Sequence, residues 1–361
     1  MSGMVADPHR FQFDLDRAAS NLETILRICN RPGRILVLMQ NNPDPDSLAS
    51  AAALRDIIAV RLKKRITIGY GGICGRAENR AMITVLRIDA KHVTPAEVAA
   101  ARTVCLVDSQ PRAGNTLLLT NRTTDIVVDH HLLPEHVPWK AEFTDIRAEY
   151  GATATIFYEY LLAAGVKISA NLGTALFYGI RSDTQDLGRE AGPQDIQAFQ
   201  ELFQLAERRK LALIRRAPVP PEYFRVLSAA LSTCVVAGNT VISCIPAHAS
   251  PDMIAEVSDL MLRLQGMRAS VCYGICGGVV HISARRQDAH GDIAASIRRV
   301  VGRLGSGGGH RTMAGGQIPV AGDPERRLDL VRQRILSVFA PNAEPRPLIA
   351  PPPAAKPGSM A

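Results

Sequence analysis

The sequence lacks the features that would place it at once in several protein classes. Among 361 residues there is one tryptophan, Trp139, and aromatics make up only 5%. Stacking platforms for long single-stranded nucleic acid are therefore scarce. Seven cysteines occur, at 29, 74, 105, 234, 244, 272 and 276, with no Cys-x-x-Cys pair. Their odd number and apolar surroundings, as in TVCLVD, read as small buried hydrophobes in a reducing compartment. A thiolate metal site has little support. No apolar run reaches the ~18 residues that a membrane span needs. The first fifteen residues carry Asp7, His9 and Arg10 and no long apolar core, which is not a signal-peptide pattern. A cytoplasmic location is expected. No internal repeat is visible.

What is present is ordinary for a folded chain. Hydrophobic residues make up 47% and charged residues 21%, close to the globular average. The length suits about two or three domains. Forty-two basic against 34 acidic residues give a formal charge of +8. That excess fits a phosphate-bearing or anionic partner without naming one.

Residues 34–39 (RILVLM), 66–68, 103–107 (TVCLV) and 125–128 (DIVV) are continuous apolar runs, separated by helical stretches such as 47–60, 95–101 and 152–164. Such runs read as parallel strands buried on both faces, giving an α/β domain over residues 1–192. An amphipathic stretch from 193 ends at Pro218, Pro220 and Pro221. It is read as a linker helix, 193–221, whose basic clusters form a solvated face. Hairpins mixed with helices then predict a smaller α+β domain over 222–340. Residues 341–361 contain seven prolines, so a disordered or extended tail is expected.

Three of the buried runs end in acids or imidazoles. RILVLM leads into Gln40, Asn41, Asn42, Pro43, Asp44, Pro45 and Asp46. TVCLV ends in Asp108-Ser109, and DIVV in Asp129-His130-His131. A further acid, Asp183, follows the helical stretch 172–180, with Asp186 as its neighbour. Ligands of an open parallel sheet bind outside the carboxyl ends of its strands. Each element alone has a plain reading: Asp44-Pro45-Asp46 is a turn with Asp46 or Ser47 capping the next helix. Together, in this order and at this edge, they read as a site for two divalent cations. Imidazole with several carboxylates favours Mn²⁺, with Mg²⁺, Co²⁺ or Zn²⁺ as alternatives. A second motif is the glycine-rich segment Gly305, Ser306, Gly307, Gly308, Gly309, His310 and Arg311. It lacks the Gly-Lys-Ser/Thr of a Walker loop and the spacing of a dinucleotide fingerprint. By itself it reads as a flexible turn.

In this order the motifs resemble those of the DHH phosphoesterase superfamily. Asp129-His130-His131 is similar to the motif that names it. Asn42 to Asp46, Asp108-Ser109 and Ser182-Asp183-Thr184 are similar to its other acidic motifs. The segment 305–316 resembles the GGGH loop of the DHH-associated domain of oligoribonucleases, phosphoadenosine phosphate phosphatases and RecJ-type exonucleases. The resemblance covers about residues 30–320. It implies a parallel-sheet catalytic domain, a smaller α+β substrate domain and an active site in the cleft between them. It further implies that Asp44, Asp108 and Asp183 hold one metal, and Asp46, Asp108, His130 and Asp183 a second. Asp129 would orient His130, and His131 would contact the substrate phosphate. Arg285, Gly307, Gly308, Gly309, His310 and Arg311 would bind the nucleotide.

One position departs from the pattern. Members closest in motif style carry a His where this chain has Gln40. RecJ-type members replace that His with an extra Asp, at a position that is Asn42 here. A first metal site that is weaker, or that prefers Mg²⁺, is expected. The expected substrate is a short oligoribonucleotide, a linear dinucleotide or 3′-phosphoadenosine 5′-phosphate, with a homodimer possible and no membrane partner. The alternatives are a nucleotide-binding regulator with a weakened metal site and, against the presence of 307–310, a family II inorganic pyrophosphatase.

Overall fold

The structure, a computed structural model, describes residues 13–118, 122–131, 139–245, 249–288, 291–309 and 311–349. His310 lies outside the described residues. The chain divides into two compact units, Met1–Ala217 and Pro218–Ala361.

The first unit runs α1 (Leu15–Cys29), β1 (Ile35–Leu38), α2 (Pro45–Leu62), β2 (Ile66–Tyr70), α3 (Ala77–Leu86), β3 (Ala90–His92), α4 (Pro95–Ala100), β4 (Thr103–Val107), β5 (Thr124–Asp129), β6 (Ala141–Ile146), α5 (Thr153–Ala163), α6 (Ala170–Asp183), α7 (Pro193–Leu205) and α8 (Arg208–Arg215). Its sheet has the order β3-β2-β1-β4-β5-β6, and every pair is parallel. The central strands are apolar throughout because both faces are covered. Ile35, Val37, Cys105 and Val107 enter one core, and Leu36, Leu38, Val104 and Leu106 the other. This is the two-residue period of a strand. Two strands, β3 and β6, escape the sequence reading because they lie at the sheet edges and carry polar residues, so no continuous apolar run marks them. The stretch from 193 forms two helices, α7 and α8. Ala198, Leu202, Leu211 and Ile214 bury them in the first unit's core, and the division between units falls at 217 and 218.

The strand order reverses between β1 and β4. Such a switch point opens a crevice at the carboxyl ends of the strands, where ligands of α/β sheets bind. Gln40 to Asp46 follow β1 and Asp108 follows β4, so the acidic motifs flank that point.

The second unit runs α9 (Pro221–Ser232), β7 (Val235–Ala237), β8 (Thr240–Ile245), α10 (Pro251–Met261), β9 (Ala269–Cys276), β10 (Val279–Arg286), α11 (Ile293–Val301), β11 (Ser306–Gly309), β12 (Met313–Pro319), α12 (Pro324–Phe339) and β13 (Arg346–Pro347). The sheet order is β11-β12-β10-β9-β8-β7-β13. The β8–β9 pair is parallel and the others are antiparallel. One face packs on α11 and α12, the other on α9 and α10.

Two expectations are corrected here. The glycine-rich segment is an edge strand, β11, rather than a flexible turn. A Cβ on Gly305 would collide with the Gln317 carbonyl, and one on Gly309 with that of Met313. Glycine is needed because the two backbones approach too closely for side chains. The proline-rich tail also contributes a strand. Arg346 and Pro347 pair with β7, and Leu348 N donates to Cys234 O at 2.9 Å. Proline is tolerated because β13 is an edge strand, where a missing N–H costs nothing.

Candidate metal centre

The site begins with the start of α2. Pro45 occupies the first helical position and has no N–H, so the cap falls to the residue before it. Asp44 accepts from Ser47 N at 2.9 Å, and the Ser47 hydroxyl accepts from Asp44 N at 3.1 Å. The cap is therefore Asp44, not Asp46 or Ser47. Asp46 is released for a long-range task. It is 1% exposed and accepts from Thr153 N and Ala154 N, both at 2.7 Å. These are the first amides of α5, whose own preceding residue, Ala152, supplies no capping side chain. An acid there satisfies orphan donors and the positive end of the helix dipole.

Asp108 leaves β4 in the left-handed region, φ 54°, which Asp tolerates better than most residues. Its N–H donates to Val128 O at 3.0 Å, so the turn stays tied to β5. Oδ1 accepts from the Thr153 hydroxyl at 3.0 Å, while Oδ2 is buried with no hydrogen-bond partner. Across the crevice, His130 Nε2 lies 3.0 Å from Asp183 Oδ2 and 3.8 Å from Asp108 Oδ1. His130 Nδ1 lies 3.1 Å from the Tyr150 carbonyl. A carbonyl only accepts, so Nδ1 carries a proton and Nε2 is turned toward the acids, where it pairs with Asp183 in the metal-free chain. That is the orientation of a metal-binding imidazole.

Asp129 serves the other histidine. Its Oδ1 lies 2.7 Å from His131 Nδ1, and its Oδ2 accepts from Gln110 Nε2 at 2.8 Å. Asp129 was expected to orient His130; its carboxylate accepts from the His130 backbone N–H at 2.8 Å, while the His130 ring is held by the Tyr150 carbonyl. Gln40 Nε2 donates to Asp44 Oδ2 at 2.7 Å. Asp186 is spent on Arg181 at 2.5 Å, leaving Asp183 as the acid of that loop.

Two groups of donors converge. Ligand atoms of Asp46, His130 and Asp183 lie within 4.8 Å of one another, as do those of Asp108, His130 and His131. Asp44 stands outside both groups but feels the charge of Asp183. Burial and neighbouring acids push Asp44, Asp46 and Asp108 above the ordinary carboxylate range, Asp46 to about 7. Burial opposes charge on His130, yet the Asp183 carboxylate lifts it to about 10. Among the described residues no lysine or arginine side chain pairs with Asp44, Asp46, Asp108 or Asp183, the donors are oxygen and imidazole, and Asp108 Oδ2 is buried with no hydrogen-bond partner. This donor set fits a hard or borderline divalent cation.

In the second unit, Arg285 is 9% exposed. Its Nε donates to Asp259 at 2.5 Å and its Nη1 to the Ser283 hydroxyl at 2.9 Å. Arg311 is exposed. Gly307, Gly308 and Gly309 lie in β11. The sequence reading missed Gln110, Tyr150 and Thr153. A signal existed for Thr153, because a helix start with no local cap needs an acceptor from elsewhere.

The fold and donors define an α/β protein with a candidate divalent-cation centre at its switch point, joined to a mixed-sheet unit. The chain matches the DHH family, N-terminal domain, over residues 34–180 and the DHHA1 domain over residues 237–338. It carries a DHH N-terminal domain followed by a DHHA1 domain, as its motifs implied. It is 33% identical over 315 residues to an uncharacterized protein of Methanocaldococcus jannaschii, covering 84% of this chain. The chain spans 64% of the length of that curated relative. Its fold is similar to that of an exopolyphosphatase-related protein from Bacteroides fragilis. The TM-score is 0.69 at 15% identity, covering 89% of this chain and 97% of the other.

Proposed function

We propose that the chain is a divalent-cation-dependent phosphoesterase. Its substrates would be short oligoribonucleotides, linear dinucleotides or 3′-phosphoadenosine 5′-phosphate. One observation carries the reading: ligand atoms of Asp46, His130 and Asp183, and of Asp108, His130 and His131, lie within 4.8 Å of one another, and Asp108 Oδ2 is buried there with no hydrogen-bond partner. Buried polar atoms are normally paired, so an unpaired carboxylate oxygen in such a cluster supports a cation site.

In this proposal Asp44, Asp108 and Asp183 hold one cation, and Asp46, Asp108, His130 and Asp183 the other. Gln40 enters the first site only if its amide leaves Asp44. Mn²⁺ is preferred, with Mg²⁺ or Co²⁺ as substitutes. A bound pair would supply Lewis acidity toward water and phosphoryl oxygens. Asp129, itself held by Gln110, fixes the His131 ring, and His131 would contact the substrate phosphate. Gly307, Gly308, Gly309, His310 and Arg311 bind the nucleotide. Arg311 is the stronger candidate for a phosphate, because two of the three Arg285 guanidinium nitrogens are already engaged.

The test is to incubate the purified chain with Mn²⁺ and a dinucleotide, a pentanucleotide, phosphoadenosine phosphate or pyrophosphate, and to read the products. Release of mononucleotide or phosphate from the nucleotide substrates is expected. Turnover of pyrophosphate alone would replace the reading by pyrophosphatase. Gln40 favours a second reading, a nucleotide-binding regulator, since its amide occupies Asp44 Oδ2. Nucleotide binding without turnover under Mn²⁺, Mg²⁺ and Co²⁺ would select it.

A further inference from the structure

We infer that Thr153 is a positioning residue of the metal centre: its hydroxyl fixes the Asp108 carboxylate so that Oδ2 is presented to a cation. The inference rests on the metal-centre reading above and adds a residue to it.

Thr153 touches two of the proposed ligands by different atoms. Its N–H donates to Asp46 Oδ2 at 2.7 Å, and its hydroxyl donates to Asp108 Oδ1 at 3.0 Å. Asp46 stands in the first turn of α2, which follows β1, and Asp108 follows the adjacent strand β4. Thr153 comes from the start of α5, and so ties both acids to one rigid helix. The residue is fully buried. A buried hydroxyl needs a partner, and threonine ordinarily finds one in its own or neighbouring backbone. Here it takes a carboxylate 45 residues away.

Asp108 is thereby constrained twice. Its backbone is held in the left-handed region by the bond to Val128 O. Its side chain is held by Oδ1, which leaves Oδ2 as the atom without a hydrogen-bond partner. Without the hydroxyl, the carboxylate is free to rotate and must be ordered again when a cation binds. Hydrogen bonds to ligating carboxylates typically affect metal affinity by about 10–100-fold. A purely structural Thr153 would instead lower the melting temperature and leave metal affinity unchanged.

Thr153→Val keeps the shape and the N–H but removes the hydroxyl, and Thr153→Ser keeps the hydroxyl. Mn²⁺ binding to the full chain would be measured by calorimetry and by the electron paramagnetic resonance signal of free Mn²⁺. Circular dichroism confirms folding. Thr153→Val is expected to weaken Mn²⁺ binding about 10–100-fold, with Thr153→Ser within a few-fold of wild type. If Thr153→Val does not fold, Thr153→Ala replaces it with the same expectation. Wild-type affinity in a folded variant lacking the hydroxyl overturns the inference. Serine as weak as valine also overturns it. Wild type that binds no divalent cation overturns the metal-centre reading and the inference with it. The wild-type titration alone separates that outcome from the other two.

Discussion

Two clusters of buried charge in the first unit are built to opposite rules. At the carboxyl ends of β1, β4 and β5, Asp44, Asp46, Asp108 and Asp183 gather around two imidazoles. Among the described residues, no lysine or arginine pairs with any of the four carboxylates. At the edge strand β6, Asp145 accepts from Arg17 at 2.8 Å, Asn21 at 3.2 Å, Arg147 at 3.0 Å and the Tyr160 hydroxyl at 2.5 Å. Arg147, 1% exposed, also pairs with Glu159. The consequences are opposite. Burial works against charge on Asp145, but the Arg147 guanidinium holds it below the ordinary carboxylate range. Asp46 and Asp108, with no such cation, are pushed up. A cluster that carries its own cations is structural. One that buries acids without them is poised to take up cations from solution.

The sharpest break in this comparison is Asp108→Ala. Under the proposed chemistry it should reduce hydrolysis to background, because Asp108 serves both cations. The metal-free variant should still fold, at a modest cost in melting temperature, because alanine fits φ 54° less well than aspartate and the Thr153 hydroxyl loses its acceptor. Wild-type turnover by the folded variant contradicts the two-cation reading.

The mirror experiment is Arg147→Leu. It strands Asp145 and Glu159 without their shared cation, which costs about 3–5 kcal/mol in comparable buried pairs. Urea and thermal melts should show a drop on the order of 10 °C. Unchanged stability would erase the distinction between the clusters.

A smaller effect separates the clusters by pH. The folded Asp46 carboxyl titrates near 7, above its ordinary value. The folded metal-free chain therefore holds a proton that the unfolded chain loses between about 4 and 7. Metal-free stability should rise as pH falls through that window. Asp145 has the opposite sign. Its depressed pKa adds stability above the unfolded value and loses it as pH falls through the folded one. Stability should therefore fall again below about pH 4. Melting temperatures from pH 3 to 8, with chelator present, test both limbs. A monotonic rise in stability toward neutral pH contradicts the first.

The smallest expected change is Gln40→His. It exchanges an amide donor to Asp44 for an imidazole, a better ligand for Mn²⁺. The activation curve against Mn²⁺ should move to lower concentration. No shift would mean that position 40 does not enter the first site. Activity gained by the variant from an inactive wild type would favour the regulator.

The site was largely legible because its chemistry is local to strand ends. A continuous apolar run predicts a strand buried on both faces, and the residue after it must lie at the sheet edge. Asp108 and His130 were found in this way. Their supports were not legible. Tyr150 acts through its carbonyl, which every residue possesses. Gln110 and Thr153 act across separations of 19 and 45 residues, which no local pattern records. The cap of α2 was placed on Asp46 or Ser47 instead of Asp44, because Asp46 caps a helix that begins 107 residues later. The edge strands β3, β6 and β13 were missed for a related reason. An edge strand is stabilised by one neighbour and solvent, and needs no apolar run to show it.

Residue type and a period of two or 3.6 are enough to read the α/β class, the central strands and the acids and imidazoles at their ends. Neither reveals which carboxylate oxygen lacks a hydrogen-bond partner, which imidazole ring Asp129 holds, or that the glycine-rich segment is a strand whose Gly305 and Gly309 lie too close to the neighbouring backbone for a side chain. Those outcomes depend on distances between segments far apart in the chain. They are fixed when the sheet brings β1, β4 and β5 side by side and α5 is packed against them.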